Sequence, residues 1–235
     1  MPAFDNANSV QGTAAANLTT TAWTIAGDNR LLIAGMVWSG GAPPAYSAMK
    51  WGGSGGTLLT QLGSTLAVGA NLRVAMAYLI APAAGSSTLY GEVAASTDEF
   101  CVGGVSVTGA NQSTPLGTEV TNNGTTASSP ATATVDVTST LATDLIIDIC
   151  GATQDGAAAL TFTVGAGQDM RWEQESIGSF SAGTQSTESG NGGTVTMSET
   201  ITFTAPNVTW GIIAVRILEA PAVLFATVLM PQICL

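Results

Sequence analysis

Along most of this chain apolar and polar residues alternate in short runs, and the three-to-four-residue spacing of an amphipathic helix is nearly absent. β-Branched runs bounded by Gly, Pro, Asn and Ser recur instead, which predicts strands. The candidates in the first half are residues 22–25, 31–38, 49–51, 58–62, 72–80, 87–94 and 100–108. Those in the second half are residues 132–137, 144–149, 160–164, 195–204 and 210–218. Gly52-Gly53-Ser54-Gly55-Gly56 predicts a hairpin turn, because glycine supplies the positive φ angles that tight turns require. Ala81-Pro82 ends the run at 72–80, since proline has no amide to give a ladder. Within that run Leu72, Val74, Met76 and Tyr78 share a face predicted to point into the core. Asn122-Asn123-Gly124 predicts a turn, residues 169–176 are more polar, and the Ser/Gly/Thr-rich stretch 178–193 reads as a long turn or exposed loop.

Many short strands without helices between them predict an all-β fold: an antiparallel β-sandwich, jelly-roll-like, of about ten short strands. No shift in composition divides the chain. Residues 1–220 therefore read as a single sandwich, and residues 221–235 as an apolar C-terminal arm or an extra strand. The arm (AVLFATVLMPQICL after Pro221) carries no charged side chain. Val223, Leu224, Phe225, Val228, Leu229 and Met230 are its candidate contacts with a neighbouring subunit or an underlying shell. Burying each such side chain stabilises by roughly 1.5–3 kcal/mol.

Composition narrows the chemistry. Histidine is absent and only 9% of residues are charged, which removes the commonest general base and metal ligand. Five cations against sixteen carboxylates, a net charge of −11, leave no basic stripe for nucleic acid or for an anionic membrane surface. No apolar run is long enough for a transmembrane helix, and the N-terminal residues have neither the basic nor the apolar region of a signal peptide. Assembly in the cytoplasm is expected. Hydrophobic residues make up 46% of the chain, so part of its surface is expected to be covered by other subunits. Cys101 and Cys150 lie in apolar runs and read as buried free thiols, and the odd count with Cys234 is no disulfide framework.

The residues offer few candidate sites. Lys50, beside Trp51 and a glycine turn, reads as a rim cation stacked on an aromatic ring. Glu173 and Glu175 are two apart and point to one strand face near Trp172. With Trp51, also among polar neighbours, they form the best candidate glycan contact: Trp51, Trp172, Glu173 and Glu175. Trp38 and Trp210 sit in apolar runs and read as core. Asp144 and Asp148 share a face, but calcium needs at least six oxygens and the close Asp-x-Asp-x-Asp spacing is missing, so calcium stays open. No catalytic residue, resident metal or cofactor is predicted.

Three stretches together carry a resemblance: residues 78–86 (YLIAPAAGS), residues 105–117 (VSVTGANQSTPLG) and residues 210–218 (WGIIAVRIL). On these the chain resembles β-sandwich virion structural proteins of tailed bacteriophages, of the decoration, cement or tail-associated kind. The likeness covers most of residues 31–218, and the tail beyond Glu219 lies outside it. It implies a non-enzymatic capsid decoration or cement component located on the virion. The implied partners are itself, in a symmetric homo-oligomer expected to be a trimer, and the major capsid or other virion proteins. A carbohydrate- or receptor-binding module of a phage tail, meeting a surface glycan, is the alternative. A subunit of an extracellular filament or surface layer is a further one.

Overall fold

The computed structural model describes residues 1–156, 159–178 and 181–221. The described residues form seventeen strands and no helix. The first half holds β1 (Ala3–Thr19), β2 (Trp23–Ile25), β3 (Leu31–Ser39), β4 (Tyr46–Trp51), β5 (Thr57–Leu58), β6 (Thr60–Val68), β7 (Leu72–Ile80), β8 (Gly85–Ser87) and β9 (Leu89–Thr108). The second holds β10 (Val120–Thr126), β11 (Ala131–Val137), β12 (Leu145–Gln154), β13 (Thr161–Val164), β14 (Asp169–Ile177), β15 (Ser181–Ser189), β16 (Val195–Thr202) and β17 (Val208–Ile217). The fold is all-β and antiparallel, in the sandwich class expected, but with more strands and two much longer ones.

β9 organises the first half. Its C-terminal part pairs with β3 (Ile33 opposite Val105) and its N-terminal part with β4 (Met49 opposite Gly91). β1 follows its other margin from Ala3 opposite Thr108 to Thr19 opposite Tyr90. The large sheet, ordered β5-β4-β9-β3-β7-β6 with β1 beside β9, therefore curls over itself. The second half makes a five-stranded sheet, β10-β17-β12-β15-β14, and a three-stranded one, β11-β16-β13.

Three apolar cores lie between these layers. The first joins the large sheet to the five-stranded sheet through Ile33, Val37, Val74 and Met76 against Ile147, Ile149, Ile213 and Val215. The second fills the space between the five- and three-stranded sheets with Ile146, Cys150, Trp210 and Ile212 facing Met197, Ile201 and Val135. The third lies inside the curl of the large sheet, where Leu32, Met36, Trp38 and Phe100 meet Trp23, Met49 and Trp51. β3 and β12 thus bury both faces, which is why LLIAGMVWS and LIIDICGATQ read as nearly unbroken apolar runs rather than as alternation.

Glycines set how closely the first core packs. A methyl group on Gly35 would come within 2.6 Å of Ile149 Cδ1, and one on Gly151 within 2.6 Å of Val37 Cγ1. One on Gly183 would meet Cys101 Sγ at 2.6 Å. These residues are flat floors into which side chains of the facing sheet fit.

The expected core face of β7 is buried: Leu72, Val74 and Met76 lie in the first core with Tyr78 packed against it. The opposite face is buried too, with Ala75 and Ala77 in the third core. The Gly52–Gly56 turn links β4 to β5, with φ of 103° at Gly52 and 77° at Gly53.

Three segments depart from the sequence reading. Residues 122–124 lie within β10, paired to β17 with Asn123 opposite Gly211, and make no turn. Most of 178–193 is β15, a strand internal to its sheet between β12 and β14 rather than an exposed loop. Residues 3–19 form β1, a strand whose Asn, Ala and Gly content hides its pairing.

Candidate functional site

The residues nominated as a glycan contact do not assemble on the surface. Trp51 is buried in the third core, edge-on to Trp23 with ring centroids 5.1 Å apart. Trp172 is buried on the floor made by Gly103, where its indole Nε1 donates to Gln185 Oε1 at 2.6 Å. Both rings were expected among polar neighbours at the surface, and that expectation is corrected. Their polar neighbours in sequence point to the other strand face, while the rings fill space against opposing glycine and tryptophan. Trp38 and Trp210 are core residues. Lys50 donates to Ser54 O at 2.8 Å and lies 5.5 Å from the Tyr90 ring centroid, a stacked cation whose aromatic partner is Tyr90. Residues Val223, Leu224, Phe225, Val228, Leu229 and Met230 lie outside the described residues.

Glu173 and Glu175 do interact. Glu173 Oε1 accepts the Phe162 backbone amide at 2.9 Å, and the Glu173 side chain also contacts the Glu175 carboxyl. Burial, with the neighbouring Glu175 charge, pushes the Glu173 pKa up to about 7 against the pull of the Phe162 amide. The pair is the outer end of an acidic network that the sequence does not foreshadow. Inside it Asp148 on β12 and Glu199 on β16 are fully buried and face each other across the second core. Asp148 Oδ1 accepts from the Ser186 amide at 2.8 Å and the Ser186 hydroxyl at 3.1 Å. The Gln168 amide nitrogen donates to Ser186 Oγ at 2.7 Å, and its oxygen accepts the Ser198 amide at 2.7 Å. No lysine or arginine is paired with either acid among the described residues. Burial raises both pKa values, and the negative charge of Asp148 raises that of Glu199 further. Two carboxyls in that position hold protons at pH values where exposed ones release them.

Asp144 lies apart from Asp148. It caps the amide of Leu141 at 2.8 Å and sits 3.8 Å from Arg216. Asp136 accepts from Thr196, and Asp155 from Asn207. Among the described residues no three His, Cys, Asp or Glu side chains gather as a metal would require.

A second polar cluster closes the seam between the large and five-stranded sheets. Ser39 Oγ donates to Glu99 Oε2 at 2.5 Å and lies 2.5 Å from Ser181 Oγ, while Thr97 Oγ1 donates to Ser39 O at 2.6 Å. Burial raises the pKa of Glu99, opposed chiefly by the Ser39 hydroxyl. A serine against a carboxylate beside a cleft is an arrangement worth testing for nucleophilic chemistry. Ser39 is only 1% exposed, and its hydroxyl is engaged by Glu99 and Ser181. The cluster ties β3 to β15 and β9.

The outer margin of β1 is the most unusual exposed element. β1 bonds to β9 alone, and no strand is bonded to its other side among the described residues. Near its start Asn6 and Asn8 each use the side-chain oxygen to accept the next residue's amide, and the side-chain nitrogen to hold Thr24 O and Thr21 O. From Val10 to Thr19 the strand has no charged residue and no proline.

No family model matches the chain, and no curated protein does. Among solved structures it is similar to the major capsid protein P2 from bacteriophage PM2, with 7% identity over 93% of this chain and 98% of that one, at a TM-score of 0.24. It is also similar to the PBSX exported protein XepA, with 9% identity over 92% of this chain and 86% of that one, again at a TM-score of 0.24. Likenesses at that level carry no argument about function.

Proposed function

We propose that this chain is a non-enzymatic virion structural protein, a capsid decoration or cement component that works as a symmetric homo-oligomer. The observation that carries the reading is the margin of β1. A long strand edge without charge or proline is a template for pairing with another chain, and proteins that stay monomeric block such edges. Here the first part is capped by the Asn6 and Asn8 side chains and the last part is broken by Ala14 at φ 50° and a register shift between Ala15 and Asn17, which leaves Val10–Thr13 as the regular open edge. The buried polar residues support the same reading, because Ser39, Ser181, Thr184, Gln185 and Ser186 join strands to one another. The resemblance of residues 78–86, 105–117 and 210–218 to phage virion proteins supplies the context.

The test is light scattering of the full chain and of a chain ending at Pro221. The expected result is a discrete symmetric oligomer, a trimer for the simplest shell geometry, for the full chain. A folded monomer at all concentrations, without affinity for capsid or tail particles, overturns the reading. If the shortened chain keeps its fold but loses its oligomer, residues 222–235 are the contact; if it keeps both, the contact lies within residues 1–221, where the β1 margin is the candidate.

A further inference from the structure

A groove of about 520 Å³ lies on the β6–β7 ladder, at the end of the face that Ala75 and Ala77 turn into the third core. That volume is within the usual range for small-molecule sites. Arg73 and Ala67 are directly opposed in that ladder, and Gln61 opposes Ala77, so Gln61 and Arg73 share one face, at the rim of the third core. The loop before β4 forms the facing wall with Pro43, Pro44 and the ring of Tyr46. This wall is fixed in place, since Trp38 Nε1 donates to Pro44 O at 2.8 Å.

Charge gives the groove its character. Among the described residues Arg73, like Arg30 and Lys50, has no carboxylate within 4.0 Å, and the lining contains no acid, although the Glu119 carboxyl packs against Gly63 from outside that lining. By contrast the cleft at Ser39 carries Asp98 and Glu99, and Arg216, beside another hollow, already has Asp144 at 3.8 Å. The Arg73 guanidinium is also preset. Its Nη1 donates to Leu72 O at 2.8 Å and Gly69 O at 3.3 Å, which leaves its other nitrogens to a ligand.

We propose that this groove binds an acidic saccharide, a sugar whose carboxylate meets Arg73. Its apolar ring face would lie on Pro43, Pro44 and Tyr46, as sugar rings lie on flat apolar side chains. Gln61, Ser64 and Thr65 on the other side offer amide and hydroxyl groups to the sugar hydroxyls. An acidic peptide fits less well. β6 loses register between Leu62 and Leu66, which breaks the strand edge that an added peptide strand would use. The inference is independent of the role on a virion.

The test uses the full chain with a galacturonic acid trimer, a neutral galactose trimer and an acidic tripeptide, read by saturation-transfer NMR and calorimetry. The acidic trimer is expected to bind, with affinity falling as salt rises, and R73Q to weaken it about tenfold or more. Because Arg73 also holds its own turn, Q61E is the second variant. It leaves the Leu72 and Gly69 contacts alone, turns the Gln61 Nε2 to Thr65 Oγ1 bond into one that the Thr65 hydroxyl donates, and sets a carboxylate in the groove, so it is expected to abolish binding with melting little changed. Equal binding of the neutral trimer, binding of the peptide alone, no binding, or binding untouched by Q61E each overturns the proposal.

Discussion

Asp148 and Glu199 set the pH dependence of this protein at the residue scale. Both have raised pKa values in the fold, so the folded chain keeps protons that the unfolded chain releases above about pH 4. A fold that binds more protons loses stability as pH rises, here from about pH 4 up through neutrality, and gains it on acidification. Glu173, Glu99, Glu119 and Glu188, also raised by burial, push the same way. The groups facing the pair are Glu173 from β14, whose charge raises Glu199, and the Cys150 thiol from β12, itself pushed up by burial and by both acids. E199Q removes one titration at nearly constant shape. Thermal melts across pH are expected to show the variant matching the parent near about pH 4 and exceeding it above neutrality. Parallel pH profiles would contradict the assignment. Gln185 offers a separate check, because Q185L leaves the buried Trp172 indole without its acceptor. A loss of about 1–3 kcal/mol in denaturant melts is expected.

At the scale of elements, strands were legible wherever one face is apolar and obscure wherever polar residues are buried with partners. Residues 31–38 and 72–80 announce themselves through Leu, Ile, Val and Met. β15 (SAGTQSTES) looks like a loop because its polar side chains find partners only in space: Gln185 in Trp172, Ser186 in Asp148 and Gln168. β1 hides for a related reason, since its asparagines cap their own strand. The candidate glycan patch failed because neighbours in sequence do not report a ring's face: Trp172 needed Gly103, sixty-nine residues earlier, to be seen as core. The Asp148–Glu199 pair had no local signal, for its members come from different sheets. Two substitutions test the layered packing. V74D places an unpaired charge in the first core and is expected to abolish soluble folding. G151V drives a branched side chain into Val37 and Val74, and is expected to cost about 1–3 kcal/mol or more in denaturant melts. Parent-like melting of either would mean that the sheets do not meet at this spacing.

The whole molecule is a stack of antiparallel sheets whose inner strands are buried on both faces and whose polar side chains largely hold strands together. The chain is acidic, with few sites for proteases that cut at Lys or Arg, and among the described residues the β1 margin has no strand bonded to it at Val10–Thr13. Those properties suit a part of a particle that must persist outside a cell and pack against copies of itself. The most direct measurement is the protein composition of virus particles purified on a density gradient from the source culture. This chain is expected in the particle band, in a fixed ratio of many copies to each particle. Its absence from particles, with the chain found only in the soluble fraction as a monomer, would overturn the assignment to a virion.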